Sequence, residues 1–512
     1  MSSDALAADP IATSEFEHAE KRRALRDTLI VTLGGQLERT LGTLTALALR
    51  WGLDPARLGV YTGLRLYLDN TNRSSLGVGL GAVQEIPILR AAGREDEARL
   101  VADVAHTTNT ITCLFYAAAL LVWAWLRAPL LKGDPLAAEW TWGLVAVAGL
   151  TLLKRYESFL VAVLRARQEF ALTTELDVFE SLVSAAAVGF GLWIAGFWGL
   201  LAAVGVILSS KIVYLQWRNP LRFAWRWDSI AVARLMRQGL PILANTAVFG
   251  MVVNLDRIVI LWRLADPERM AGLYTIALMG TSWSYDAAGR IVTVAYTYFQ
   301  TALGRTNDPR EVARLAMLAT EAQAPLLFFG SAVAALAGPT FLGALMPKYV
   351  DGLPALRPLL IGMTLLGLAW PARQMLITDG RPYRLALATL AGLAATATAG
   401  IVGADASGLV GVAWGMSVGY GSVYLLTSAA AFAGSLGALA WMKHLARLTS
   451  LGAWIGLGVA LALSTGSIGG SRWTTMAARI ALLAIWSLPA LWTWSARLGM
   501  FDLWRRGRGA HS

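Results

Sequence analysis

Apolar residues come in blocks of helical length separated by short polar punctuation, from Thr28 to Arg497. Blocks of this kind predict transmembrane helices. The pattern places fourteen of them near 28–50, 58–88, 101–127, 140–166, 172–195, 197–217, 238–263, 271–301, 313–337, 354–376, 383–402, 407–434, 448–468 and 475–497. Several blocks carry polar residues where a lipid-facing helix should have none. The first holds Glu38 and Arg39. In the second, Arg57, Tyr61, Arg65, Asp69 and Arg73 recur every fourth residue, one stripe drifting slowly around a helix, with Asn70 and Asn72 beside it. The fourth places Lys154, Arg155 and Glu157 near its middle. The seventh holds Asn254, Asp256 and Arg257, and the eighth Ser282, Tyr285, Asp286 and Arg290. A charge at mid-bilayer costs about 2.5–3.5 kcal/mol even on the lenient insertion scale, so these residues must face protein or water. The stripe reads either as an internal ladder of paired charges or as the wall of a wet cavity.

Composition fixes the broad class. The chain has 512 residues, of which 56% are hydrophobic and 15% charged, with a mean hydropathy of +0.54. Soluble domains carry about 25% charged residues, so this is an all-α polytopic membrane protein. The net charge of +11 invites a nucleic-acid partner, but its distribution excludes that reading. If the N-terminus is cytoplasmic, Lys and Arg divide twenty-seven to ten between the inner and outer loops, and the positive-inside rule places both termini in the cytoplasm. The single cysteine, Cys113, allows no disulfide within the chain. No cleaved signal is expected in the polar first 25 residues. Metal-ligand spacing, a nucleophile elbow and a phosphate-cradling glycine loop before a helix are all missing. No cofactor and no enzyme chemistry are expected.

Other polar features have quieter readings. His106 reads as an interfacial residue, and Glu175, Asp177 and Glu180 as a snorkelling helix end. Residues 218–237 interleave Arg with Trp, Phe and Leu, which predicts an amphipathic interfacial helix on anionic lipid. Pro325, Pro339, Pro347, Pro354 and Pro358 cluster around the ninth and tenth spans, as a gate or as loop punctuation.

The chain also repeats itself. Residues 239–280 are a stronger copy of residues 33–66: in each, an apolar run with an acidic–Arg pair (Glu38-Arg39, Asp256-Arg257) leads into Asp-Pro-x-Arg and then Gly-x-Tyr. Asp54, Pro55 and Arg57 match Asp266, Pro267 and Arg269, and Gly59 and Tyr61 match Gly272 and Tyr274. An offset near half the chain is what a duplicated membrane unit predicts. The expected division is a cytoplasmic segment 1–27, an N-lobe 28–217, a connector 218–237, a C-lobe 238–434, two extra helices 435–497 and a tail 498–512.

An opening helix, a turn with Gly-x-Tyr, a polar second helix and a restart of the form Gly-Leu-Pro…Asn…Asp-Arg…Gly-Leu-Tyr together resemble the polysaccharide flippases. These belong to a superfamily that also holds lipid II flippases and multidrug extruders. LRARQEFAL at 164–172 and PTFLGALMPKYVDGLPALRPLLIG at 339–362 extend the likeness over roughly residues 25–435. The resemblance implies two pseudo-symmetric lobes around a central cavity. It also implies transfer of an undecaprenyl-diphosphate-linked oligosaccharide across a bacterial inner membrane. A diphosphate needs cations on its route, and the candidates are Arg39, Arg65, Arg73, Lys154 and Arg155. Asp69, Glu157, Asp256, Asp286 and Arg290 are candidates for coupling or gating. Expected partners are the lipid-linked oligosaccharide, anionic lipid, a coupling ion (H+ or Na+) and the polysaccharide polymerase machinery. A cation/drug antiporter of the same superfamily stays open through Asp69, Glu157, Asp256 and Asp286. A membrane-embedded polymerase or ligase would need a large outer loop, and 127–139 is too short for one.

Overall fold

The computed structural model describes residues 41–497 apart from Lys132, Gln168 and residues 468–469. The expected N-terminal segment, Glu38, Arg39 and the tail 498–512 lie outside the described residues. Among the described residues there are helices and turns and no strands. In chain order the helices are α1 (residues 41–52), α2 (Pro55–Asn70), α3 (Val78–Ala91), α4 (Glu95–Arg127), α5 (Ala137–Ala166), α6 (Phe170–Arg218), α7 (Ser229–Arg263), α8 (Pro267–Thr306), α9 (Pro309–Leu345), α10 (Leu356–Leu368), α11 (Trp370–Thr378), α12 (Pro382–Ser428), the short α13 (Gly434–Leu436), α14 (Ala438–Ser464) and α15 (Arg472–Arg497). Among the described residues, eight helical segments are long and apolar enough to cross a membrane. The helices α5 and α8 are not among them, although at 30 and 40 residues they measure about 45 and 60 Å.

Two of the eight spans, Glu175–Arg218 and Pro382–Leu436, turn back on themselves. In α6 the helix is interrupted at Ala195 (φ −134°, ψ 16°) and Gly196 (φ 52°, ψ −123°). In α12 it is interrupted at Ser407 (φ −147°, ψ 22°) and Gly408 (φ 57°, ψ −131°). Positive φ is open to glycine at little cost, so each glycine permits the reversal. In a continuous helix, residues eight apart sit about 12 Å apart along the axis. Here Gly199 meets Gly191, and Gly411 meets Gly403, so closely that a Cβ on the first would lie 1.8 Å from the carbonyl oxygen of the second. The two hairpins share dihedral angles and glycines at one offset, Gly191/Gly403, Gly196/Gly408 and Gly199/Gly411, the same offset that relates Asp54 to Asp266. The boundaries read from sequence, 195/197 and 402/407, fall on these two turns.

The chain forms two compact units, one holding the chain up to Leu53 with Tyr67–Leu243, the other Asp54–Leu66 with the chain from Ala244. In the first, Leu160, Leu164, Leu176, Leu215 and Leu235 centre a core shared by α3 to α7. In the second, one core joins α8 to α12 with α14 and α15 around Leu327, Leu368 and Leu483. Another surrounds Phe299, Met375 and Phe432. Also within the second unit, α2 and α8 cross reciprocally. A Cβ on Gly59 would lie 1.6 Å from the Glu268 carbonyl oxygen, and one on Gly272 would lie 1.7 Å from that of Pro55. The matched glycines of the two repeats therefore each pack on the backbone at the start of the other repeat's helix.

Two expectations are corrected. The second span is not one helix: α2 ends at Asn70, a 3-10 turn covers Thr71–Ser75, and Leu76 (φ 52°) and Gly77 (φ 81°) complete the break before α3. The run Asn-Thr-Asn-Arg-Ser-Ser explains it, because short polar side chains compete with helical hydrogen bonding. Ser74 and Ser75 donate to the carbonyls of Thr71 and Asn72, both at 2.9 Å. The connector, likewise, is helical only from Ser229; residues 219–228 are non-helical. Pro220 lacks an N–H and disfavours a helical Asn219. The segment is fastened instead to α4, where Asp103 accepts from the Ala224 N–H at 2.9 Å and Thr107 from the Arg226 N–H at 3.0 Å. Phe223 stacks on His106 with ring centres 5.1 Å apart. Arg222, Trp225, Arg226 and Trp227 stay exposed.

Candidate functional site

In the first unit the polar site is built around the break after α2. A helix that stops leaves carbonyls without partners, and in a water-poor interior these must be met by side chains. The Tyr116 hydroxyl of α4 donates to the Tyr67 carbonyl at 2.7 Å. Arg155 of α5, 5% exposed, donates to the Thr71 carbonyl, to Ser74 Oγ, and to Asn109 Oδ1 at 3.2 Å. Three elements thus converge on one guanidinium, of which only Nε lacks a partner. Asn109 and Arg155 also border a cavity of about 210 Å³, lined with them by Tyr156 and by His106, which lies among the rings of Tyr156, Phe159, Phe223 and Trp225.

Two residues on, about half a turn along α5, Glu157 is 3% exposed. It accepts from Lys154 Nζ at 3.0 Å and from Lys211 Nζ of α6 at 2.7 Å, and Lys211 also reaches Glu180. Two lysines and two glutamates balance. Glu180 is therefore part of an interior network and not only a solvated helix end, and Lys154, whose side chain is 30% exposed, is its accessible cation. Arg73 is half-buried in the 3-10 turn and donates to Asn70 Oδ1. The charge of Asp69 acts on it. Arg65 and Asp69 are exposed on α2, with Arg65 in the other compact unit.

The second unit holds a different chemistry. Asp256 is fully buried; its Oδ1 accepts from the Arg257 N–H at 2.7 Å while Oδ2 has no partner. Arg257 itself donates to Asn254. The hydroxyls of Tyr274 and Tyr420, buried and also without partners, lie within the field of Asp256. A carboxyl with two phenols in a dry place can hold a proton and pass it on. Asp286 and Arg290 are exposed on α8.

Two clusters escaped the sequence reading. Arg373, on α11, is buried at 8% exposure. Its guanidinium carbon lies 3.6 Å from the Phe249 ring centre and 5.8 Å from that of Trp370, and Tyr285 stands 5.5 Å from Trp370. Its Nε and Nη1 have no hydrogen-bond partner. Cation–π contact offsets part of the desolvation, but no carboxylate among the described residues pairs with it. The second cluster is Glu321 on α9, which accepts from His444 Nδ1 at 3.0 Å and Arg447 at 3.2 Å, while its carbonyl accepts from Trp494 at 2.9 Å. It ties α14 and α15 to α9. Nothing in the local pattern marks Arg373, and Glu321 and His444 are 123 residues apart in the chain, so their pairing gave no local signal.

The fold is that of the multidrug/oligosaccharidyl-lipid/polysaccharide exporter superfamily. A structure of the lipid II flippase MurJ, inward closed, aligns with a TM-score of 0.66 at 10% identity over 90% of this chain and 98% of that one. An inward-facing multidrug resistance MATE family transporter of the MOP superfamily aligns at 0.58, 14% identity, 80% and 95%. A MOP superfamily transporter from Pyrococcus furiosus, described by a reversed polarity of its binding pocket, aligns at 0.53, 14% identity, 83% and 96%. No curated protein matches the sequence. Residues 91–346 match the model of a family described as polysaccharide biosynthesis protein; that is half the chain, and the chain belongs to this family.

Proposed function

We propose that this multi-pass membrane protein flips a polyprenyl-diphosphate-linked oligosaccharide from the cytoplasmic to the outer leaflet of a bacterial inner membrane for surface-polysaccharide synthesis. It does so without enzymatic chemistry, with fourteen crossings and both termini in the cytoplasm. Membership of the polysaccharide biosynthesis family carries the reading, and the interior cations agree with it. Arg73 and Lys154 are accessible and meet the diphosphate; Arg65, exposed on α2, and Arg39 belong to the same route. Arg155 shapes the break that presents Arg73, and Arg373, a guanidinium with donors to spare, adds a cation in the second unit. A planar fork suits a diphosphate better than an ammonium does. Asp256 binds the coupling ion, a proton, because a buried carboxyl with two phenols beside it can take up and release H+. Asp69, Glu157, Asp286 and Arg290 gate the route. Anionic lipid meets Arg222, Trp225, Arg226 and Trp227, and a polysaccharide polymerase takes the product. The test is lipid extraction from a strain lacking the protein: lipid-linked oligosaccharide should accumulate, and an unchanged lipid profile with normal surface polysaccharide would overturn the proposal.

A second reading, proton-coupled export of an organic cation, draws on the buried Asp256 with Tyr274 and Tyr420. It leaves Arg373 without a role.

A further inference from the structure

The second unit contains a cavity of about 650 Å³ between α9, α10, α12 and α14. Its walls are almost wholly apolar, from Phe328, Leu360, Leu425 and Leu448 to Gly456, and the one charged residue in them is Arg357. Arg357 stands at the start of α10 and donates through Nε to the Ala335 carbonyl at 3.3 Å. The positive charge of Arg479, on α15, acts on it. Arg479 donates to the Thr465 carbonyl at 2.8 Å, beyond the end of α14, and its Nε is buried without a partner. Neither arginine has a carboxylate partner among the described residues. Two guanidinium groups that repel one another each spend one of five donors on a backbone carbonyl. Capping accounts for one donor apiece and leaves the other donors, the buried Arg479 Nε among them, without a protein partner to explain them.

What satisfies both features is a molecule with an anionic, fork-accepting head and a long apolar tail. We propose that this is a binding site for an anionic phospholipid: Arg357 and Arg479 hold its phosphate, and an acyl chain fills the cavity between α9, α10, α12 and α14. Charge complementarity selects the head, since guanidiniums donate bidentately to a phosphate, and the volume is within the range of small-molecule sites. The lipid offsets the repulsion between the arginines and fastens α14 and α15 to the second unit from the end opposite the Glu321–His444 contact. The site does not depend on the flippase reading, because flipping and lipid retention are measured separately.

The test uses the full-length protein in detergent, with phosphatidylglycerol and phosphatidylcholine added in equal amounts and retention read by native mass spectrometry. Wild type should hold one phosphatidylglycerol through detergent exchange and disfavour phosphatidylcholine at least tenfold. R357Q/R479Q should lose that preference. Gly456→Phe keeps both arginines and should abolish retention of either lipid, because a Cβ on Gly456 meets nothing within 4 Å and its ring would occupy the cavity without a backbone clash. Unfolding temperatures measured without lipid should match wild type, with the lipid-induced rise missing in both variants. Equal phosphatidylglycerol retention by all three proteins overturns the site. Recovery of a polyprenyl diphosphate in its place overturns the phospholipid assignment.

Discussion

Replacing Arg155 separates a structural cation from a substrate-binding one. Arg155→Met keeps much of the volume and removes every donor. The Thr71 carbonyl, Ser74 Oγ and Asn109 Oδ1 then lose the partners they have in the break after α2. Hydrogen bonds from a charged donor contribute about 1.5–3 kcal/mol each, and the three share one guanidinium, so they do not add fully. Removing the charge also removes its own desolvation cost, leaving a net loss of about 3–5 kcal/mol, the range for breaking a buried charged contact. Native proteins are stable by about 5–15 kcal/mol, so the loss is large. Arg155→Lys restores charge but not the fork, and should recover only part of it. The assay is paired: fluorescence-detected size exclusion with a thermal ramp for stability, and surface polysaccharide per molecule of inserted protein for function. Stability and amount should fall together in Arg155→Met, with export falling in proportion to amount. An abundant Arg155→Met protein that melts like wild type and exports nothing would refute the capping role and return Arg155 to the substrate route.

Arg73→Ala should behave in the opposite way, inserted and abundant but without export, with Arg73→Lys partly active; normal export by a well-expressed Arg73→Ala protein sinks its assignment. Arg373→Gln removes a buried cation with two unpartnered donors, so its melting temperature should be unchanged or higher while export falls at least tenfold; destabilisation with proportionate export would make Arg373 a core residue. Gly272→Leu must separate α2 from α8, because even a Cβ meets the Pro55 carbonyl at 1.7 Å; overpacking of this kind costs about 1–3 kcal/mol or more, and a melting temperature equal to wild type would contradict the crossing. Reporter fusions at residues 135, 350 and 470 should all read periplasmic, and a cytoplasmic signal at 470 alone would cut the number of crossings.

What the sequence made legible was whatever hydropathy and glycine punctuation encode. Gly196 and Gly408 sit between apolar runs, so the two reversals could be placed almost to the residue, and Asp-Pro-x-Arg followed by Gly-x-Tyr revealed a repeat whose members pack on one another at Gly59 and Gly272. The break after Asn70 was present in the letters Asn-Thr-Asn-Arg-Ser-Ser, but the four-residue rhythm of Arg57, Tyr61, Arg65, Asp69 and Arg73 read as continuous helix and concealed it. Pairing was not legible at all. Lys211 and Glu157 are more than fifty residues apart in the chain and 2.7 Å apart in space, and nothing local distinguishes Arg155, which caps a break, from Lys154 beside it. Arg373 shows the same limit, since a cation near a helix end reads as a loop residue until a neighbouring helix covers it.

The measurement that tests the account most directly is flipping by the purified protein in proteoliposomes. The substrate would be a fluorescent polyprenyl-diphosphate oligosaccharide, with sidedness read by a membrane-impermeant quencher and an organic-cation efflux assay run on the same vesicles. The account predicts protein-dependent movement of the lipid-linked oligosaccharide, abolished by Arg73→Ala in vesicles holding equal amounts of protein, and no efflux of the organic cation. Proton-driven efflux of the cation with no movement of the lipid would contradict it and establish the antiporter reading.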